Sequence, residues 1–237
     1  MSNSNYYGFE MLGKHTTDFG LMCVDHSIGF PTKKKTLVQV PFSNDIYDFS
    51  NVYGGQTFTT RPLSFKFLFY GKEKDDMYRV WTKVANWLMS GHTKLPLYDD
   101  KMKRYYYLAE VSEIQDFEDA FDEGYLTIDF ECYPFRVYQL KEGNDIWDSF
   151  DFELDIAQTT TFNISGKQEV TLYNLGVSSI KPTIKTSSPM TIIQGSNQFE
   201  VPQGVSSSTR FRLLSGENRF SIQGNGSISF EWYKELI

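Results

Sequence analysis

Chemistry in this 237-residue chain would have to come from few residues. There are three histidines, His15, His26 and His92, and two cysteines, Cys23 and Cys132. No histidine stands at metal-ligand spacing from a cysteine or from another histidine. P-loop, nucleophile-elbow, zincin and EF-hand patterns do not occur. Gly224-x-Gly226 opens a strand pattern instead of a helix, which removes a dinucleotide reading. Carboxylates are the dense candidates. One cluster is Asp116, Glu118, Asp119, Asp122 and Glu123; the other is Asp145, Asp148, Asp151, Glu153 and Asp155, interleaved with Trp147, Phe150 and Phe152. A glycosidase needs two carboxylates held across a sugar, one with a raised pKa. Here the first cluster reads as a solvated turn and the second as a strand with one wet face. Neither is expected to catalyse or to bind calcium. No catalytic residue, cofactor or metal is assigned, and the chain is read as a non-enzyme.

Composition sets the frame that must position whatever function exists. Hydrophobic residues make up 40% and aromatics 16%, with 20 Phe and 15 Tyr. Such residues suit a pleated, half-buried surface, so β structure is expected. The net charge is −7, with 15 Lys and Arg against 19 Asp and Glu through residue 137, and 8 against 11 beyond it. Neither part has a phosphate-binding balance, so nucleic acid is not the expected partner. The opening MSNSNYYGFE lacks a basic and an apolar leader region. No apolar run approaches the ~18 residues of a membrane span. Folding in a cytoplasm, with both cysteines as buried free thiols, is the expectation.

Residues 1–138 read as one mostly-β domain with a helix. Ser64–Tyr70 places Phe65, Phe67 and Phe69 on one face; Tyr125–Tyr133 places Leu126, Ile128, Phe130 and Cys132 inward. Ile46–Phe49 and Thr57–Arg61 flank Gly54-Gly55, a turn signal that predicts a hairpin. Met77, Val80, Trp81, Val84 and Leu88 recur at helical spacing, with Asp75 or Asp76 as cap and Gly91 as stop. This stripe is expected to pack on its own sheet.

The pattern breaks at Gln139–Asn144, where a domain boundary is placed. Residues 139–237 show no helical period. Short strands with turn signals predict a β-sandwich of about eight strands. Three hairpins are expected: around Ser165-Gly166-Lys167, around Gly195-Ser196-Asn197, and around Gly224-Asn225-Gly226, where Phe220 and Ile222 would face Ile228, Phe230 and Trp232.

The order of features in the first 137 residues is informative. It runs Gly8-Phe9-Glu10, Gly13-Lys14-His15, Asp18-Phe19-Gly20-Leu21, Val40-Pro41, Tyr47-Asp48-Phe49-Ser50, Tyr53-Gly54-Gly55, Arg61 with Leu63-Ser64-Phe65-Lys66-Phe67, the Trp81/Trp87 helix, Leu95-Pro96-Leu97-Tyr98-Asp99 and Tyr133-Pro134-Phe135. This series resembles the distal tail proteins of siphophages that infect Gram-positive bacteria. One departure is Phe42-Ser43-Asn44-Asp45, where that family often carries a Gly-Arg-Asn/Asp-Gly turn.

The resemblance implies an N-terminal β-sandwich or split-barrel ring domain with one α-helix and a projecting hairpin, and a C-terminal galectin-like β-sandwich used for docking. It implies a homo-hexameric ring at the virion tail tip. That ring would link the tail tube protein to a tail-associated lysin or fibre protein and to receptor-binding adsorption proteins. A hairpin around Ile46–Arg61 is expected to lie on the neighbouring copy, with Tyr47, Phe49, Tyr53 and Arg61 as interface residues. The same aromatics would equally serve packing within the domain. The alternative is a carbohydrate-binding module, with the C-terminal sandwich docking host wall sugars through Trp147, Tyr173 or Trp232.

Overall fold

The computed structural model describes residues 7–50, 55–71, 73–115, 118–120, 123–147 and 150–237. Strands make up 53% of the chain, so the fold is mostly β with one α-helix. By its internal contacts the chain divides into two compact units, residues 7–50 with 57–137 and 237, and residues 55–56 with 138–236.

The first unit contains β1 (Phe9–Met11), β2 (Lys14–His15), β3 (Met22–Ile28), β4 (Leu37–Gln39), β5 (Ile46–Asp48), β6 (Arg61–Tyr70), α1 (Lys74–Leu88), β7 (Leu95–Asp99), β8 (Tyr105–Ile114), β9 (Glu118–Ala120) and β10 (Glu123–Cys132). Its main sheet is ordered β2-β1-β7-β8-β10-β6-β3, with β9 added to β10. The β6–β10 ladder sets Phe65 opposite Ile128 and Phe67 opposite Leu126. The alternation read from sequence therefore survives, and all of Phe65, Phe67, Phe69, Leu126, Ile128, Phe130 and Cys132 are buried.

Helix α1 closes this core, but through a different tryptophan than the stripe suggested. Trp81 is only partly buried, whereas Trp87 is buried. Trp87 stacks on Phe19 with centroids 4.7 Å apart and lies 5.8 Å from Phe9, and its Nε1 donates to Met11 O at 3.0 Å. The helix starts after Glu73, which gives no side-chain cap; Asp75 and Asp76 sit in the first turn, where the helix dipole favours acids. It ends at Met89, before Gly91 is reached. The Asp18-Phe19-Gly20-Leu21 motif turns out to fasten this helix. Residues Thr16–Phe19 form a 3-10 turn, Asp18 Oδ2 accepts from the His15 backbone N–H at 2.9 Å, and Gly20 leaves the turn at φ 73°. Phe19 is thereby delivered onto Trp87. Trp87→Ala is expected to cost about 3–5 kcal/mol, since it opens a large cavity and orphans the Met11 carbonyl. Chemical denaturation of the variant checks this, and a loss under ~1 kcal/mol contradicts it.

In the second unit β11 (Arg136–Lys141), which begins just before the boundary, is followed by β12 (Thr161–Asn174), β13 (Thr183–Thr186), β14 (Met190–Gln194), β15 (Asn197–Val201), β16 (Gly204–Ser207), β17 (Gly216–Glu231) and β18 (Tyr233–Leu236). The six-stranded sheet is ordered β15-β14-β17-β13-β16, with β12 on β17; β18 pairs with β11 outside this sheet. Ile192, Phe211, Phe220, Ile222, Ile228 and Phe230 are among its buried core.

Two of the three expected hairpins are corrected here. Residues 161–174 form one continuous strand through Gly166, and residues 216–231 form another through Gly224 and Gly226. The two pair along 14 residues, with Gly166 opposite Gly224, Ser165 opposite Asn225 and Ile164 opposite Gly226. The glycines with φ of 76°, 149° and 129° mark a shared bend of two long strands instead of two turns. The third hairpin, β14–β15 across Gly195, forms as expected.

Candidate interaction surfaces

The hairpin of the first unit also differs from expectation. Ile46–Asp48 does not pair forward to Thr57–Arg61; it pairs back to Leu37–Gln39 as a two-stranded sheet separate from the main one. Leu37 faces Asp48, Val38 faces Tyr47, and Gln39 faces Ile46. Every residue of both strands is exposed. The arm is rooted where Lys34 N donates to Thr57 O and Thr59 N donates to Thr32 O, both at 2.8 Å. Lys35 Nζ, 2.8 Å from Asp48 Oδ2, holds that carboxyl below the usual carboxylate range, with Ser50 assisting. This exposed pair organises the arm more than it stabilises it.

At the tip, Ser43 N donates to Val40 O at 3.2 Å, and Ser43 Oγ donates to Asp45 Oδ2 at 2.9 Å. This turn forces Phe42 to φ 62°, a left-handed conformation that costs a non-glycine residue about 1–2 kcal/mol. Phe42 stands fully in solvent. Leu37, Val38, Ile46, Tyr47 and Phe49 are exposed around it, and Tyr47 and Phe49 have ring centroids 6.2 Å apart. A two-stranded ribbon with six exposed apolar side chains buries too little to justify its own order in water.

The predicted interface residues divide sharply. Tyr47 and Phe49 lie on the arm. Tyr53 falls outside the described residues. Arg61 does not lie on the surface: it is 2% exposed, at the start of β6 opposite Cys132. Phe42, the most exposed apolar residue of the arm, was not singled out from the sequence. The departure of Phe42–Asp45 from the family turn was its signal.

Among the described residues, the two acidic clusters form no pocket of converging carboxylates. Asp116, Asp122 and Asp148 fall outside the described residues. Residues 145–147 and 150–155 form turns and irregular backbone, and not the wet-faced strand read from alternation. Asp151 Oδ1 accepts from Glu153 N at 3.0 Å, Asp155 Oδ2 accepts from Asp151 N at 2.8 Å, and Asp155 pairs with Lys234. These acids are spent on closing turns, which is why they alternate with aromatics without forming a strand. Trp147 is 64% exposed, but its ring is tilted 42° to Phe150, and Phe150 meets Phe152 at 76°. Trp232 is buried.

A Cys-His-Asp grouping missed in the sequence sits at the end of β7. His26 Nε2 lies 3.0 Å from Asp99 Oδ2, out of line for a straight hydrogen bond, with both side chains nearly sealed from water. Asp99 Oδ1 accepts from Tyr7 Oη at 3.0 Å and from Lys101 N at 2.9 Å. Asp100 Oδ2 accepts from Gly8 N at 2.9 Å and contacts His15 Nε2 at 3.1 Å. Burial pushes the Cys23 thiol up to about 11, so it carries no thiolate at neutral pH. Cys23 is half-buried and not sealed as expected; Cys132 is buried, and its thiol is pushed up to about 12. The grouping is a polar knot that ties Tyr7–Phe9 and β3 to β7. Among the described residues, no group of three or more His, Cys, Asp or Glu could hold a metal ion, and no helix is long and apolar enough to cross a membrane.

No protein-family profile and no curated protein matches this chain. Solved structures do. The chain is similar to the SPP1 Dit protein, described as a paradigm of the hub adsorption apparatus in Gram-positive infecting phages. The TM-score is 0.66 at 12% identity, covering 98% of this chain and 99% of that one. It is also similar, with a TM-score of 0.43 and 10% identity, to a chain of the phage P2 baseplate in its activated conformation with calcium, over 98% of this chain and 97% of that one. The first of these likenesses shows the fold: this chain has that of a Dit-like distal tail protein.

Proposed function

We propose that this chain is a structural component of a phage tail tip, closing as six copies into a ring that joins the tail tube to the host-adsorption apparatus. The observation that carries this reading is the arm. Its six exposed apolar side chains are presented on a ribbon that leaves the sheet, the geometry of a head-to-tail contact that closes when each copy clasps the next. The Dit-like fold supports it. On this reading the protein acts by binding and not by catalysis. Its neighbours are the tail tube protein, a tail-associated lysin or fibre protein, and receptor-binding proteins. Light scattering of the purified chain tests it. A mass of six copies, alone or on adding a tail partner, is the expected result; a single copy under every such condition overturns it.

A second reading, sugar docking by the C-terminal unit, has one observation in its favour. An open groove of about 300 Å3 is lined by Thr161, Lys185, Thr186, Ser187, Ser227 and Ser229 together with Gly204, Val205 and Ile228. No aromatic face lines it for a sugar to stack on. Thr186 Oγ1 is already spent on Pro202 O at 2.7 Å, and Ser187 Oγ accepts from Ser227 N at 2.8 Å. The ring reading is therefore preferred.

A further inference from the structure

Arg61 and Arg136 pose a question that ring formation does not answer. Both belong to the first unit. Arg61 is 2% exposed, yet its Nε and Nη2 have no hydrogen-bond partner, and the buried Nε of Arg136 has none either. Neither guanidinium is paired with a carboxylate among the described residues. Arg61 lies 5.7 Å from the Tyr107 ring centroid and shares a side-chain hydrogen bond with Tyr107. Arg136 lies 4.9 Å from the Tyr105 ring centroid, and its Nη1 reaches Met102 Sδ at 3.8 Å. Tyr107 Oη donates to the same sulfur at 2.9 Å. Both cations therefore stand beside the Met102–Tyr107 pair, Arg61 at the ring and Arg136 at the sulfur.

A buried charge without a counter-ion is among the least favourable features a fold can hold, and two of like sign repel. Burial disfavours the protonated form of Arg61; Tyr107 opposes that, and the charge of Arg136 adds to it. Water can fill three N–H positions but does not cancel two positive charges. Asp99, a buried acid of the same unit, is committed to Tyr7, Lys101 and His26. What fits is a small anion with several acceptor oxygens. The planar forks of two arginines are the side chains best matched to such oxyanions.

We propose that Arg61 and Arg136 form a binding site for a small tetrahedral oxyanion of the phosphate class, held as a structural ion inside the first unit. The ion accepts from Arg61 Nε and Nη2 and from Arg136 Nε and converts a repulsive pair into a bridged one. Arg61 is the sealed wall of the site, and the partly exposed Arg136 is its mouth.

The test uses the full chain and inorganic phosphate. Melting is followed in phosphate and in sodium chloride at equal ionic strength, which separates ion binding from screening. At roughly ten times the dissociation constant, phosphate is expected to raise the midpoint about 3 °C or more above the chloride control. Arg136→Gln is expected to remove that increment, while Arg136→Lys keeps part of it. Arg61→Gln risks the fold, so the Arg136 pair decides the question. Equal midpoints in the two salts for the natural sequence overturn the proposal, because water alone then fills the site. An increment unchanged in Arg136→Gln also overturns it, because general salting-out then accounts for the effect. The outcome does not depend on oligomeric state, so its failure is separable from failure of the ring reading.

Discussion

Phe42→Asp leaves the folded monomer intact and abolishes assembly. Phe42 makes no contribution to either core, and its aromatic ring is fully solvated in the single chain. Its removal therefore costs the monomer nothing in burial. In the proposed ring the same side chain is the leading anchor of each contact. Truncating such an anchor typically costs about 2 kcal/mol or more at each interface, roughly thirtyfold in affinity. A carboxylate forced into an apolar seat costs more still. Because a closed ring needs every contact, six weakened interfaces act together. Matched thermal melting and sedimentation of the variant check both halves of the result. A variant that melts several degrees lower would place Phe42 in the fold; one that still assembles would remove it from the interface.

Gly226→Ala has the largest expected effect on the second unit. A Cβ at this position would lie 2.3 Å from Ser187 Oγ, an atom held in place as acceptor for Ser227 N. The backbone there sits at φ 129°, a region in which an alanine is strained by about 1–3 kcal/mol before any clash is counted. The facing Gly224 is equally constrained, with a Cβ meeting the buried Met190 Cγ at 2.8 Å. The bend that both glycines make is shared by 14 paired residues, so strain at one point spreads along two strands. The expected loss is about 3 kcal/mol, or roughly 10 °C or more in the melting midpoint of this unit. Gly195 provides the control. Its φ of 60° is a left-handed value that asparagine tolerates, and nothing lies near its Cβ position. Gly195→Asn is therefore expected to stay within about 1 kcal/mol of the natural chain. Equal losses for Gly226→Ala and Gly195→Asn would show an ordinary turn at 224–226 in place of a bend.

These two cases also show what a sequence displays and what it hides. Phe65, Phe67 and Phe69 announce their strand because one face is buried and the other wet, and a period of two has no competing explanation. The arm gives no such signal. Ile46, Tyr47 and Asp48 are all exposed, so no burial fixes which segment they pair with, and Gly54-Gly55 draws the reading toward the wrong partner. Glycine runs are ambiguous for a related reason. Positive φ at Gly166, Gly224 and Gly226 serves a tight turn and a strand bend alike, and only the pairing across the sheet distinguishes them. Trp87 was visible as a helix residue, but its role depends on Phe19 and Met11, 68 and 76 positions earlier. Arg61 was read as an interface residue because it ends the hairpin expected over Ile46–Arg61, and its burial follows from a register that places it opposite Cys132.

Electron microscopy of the assembled chain tests the central claim most directly. The account predicts a hollow ring of six copies in which residues 37–48 of each copy lie against the neighbouring copy, with Phe42 buried there. Particles that are single chains only, or rings whose arms extend freely into solvent, would contradict it.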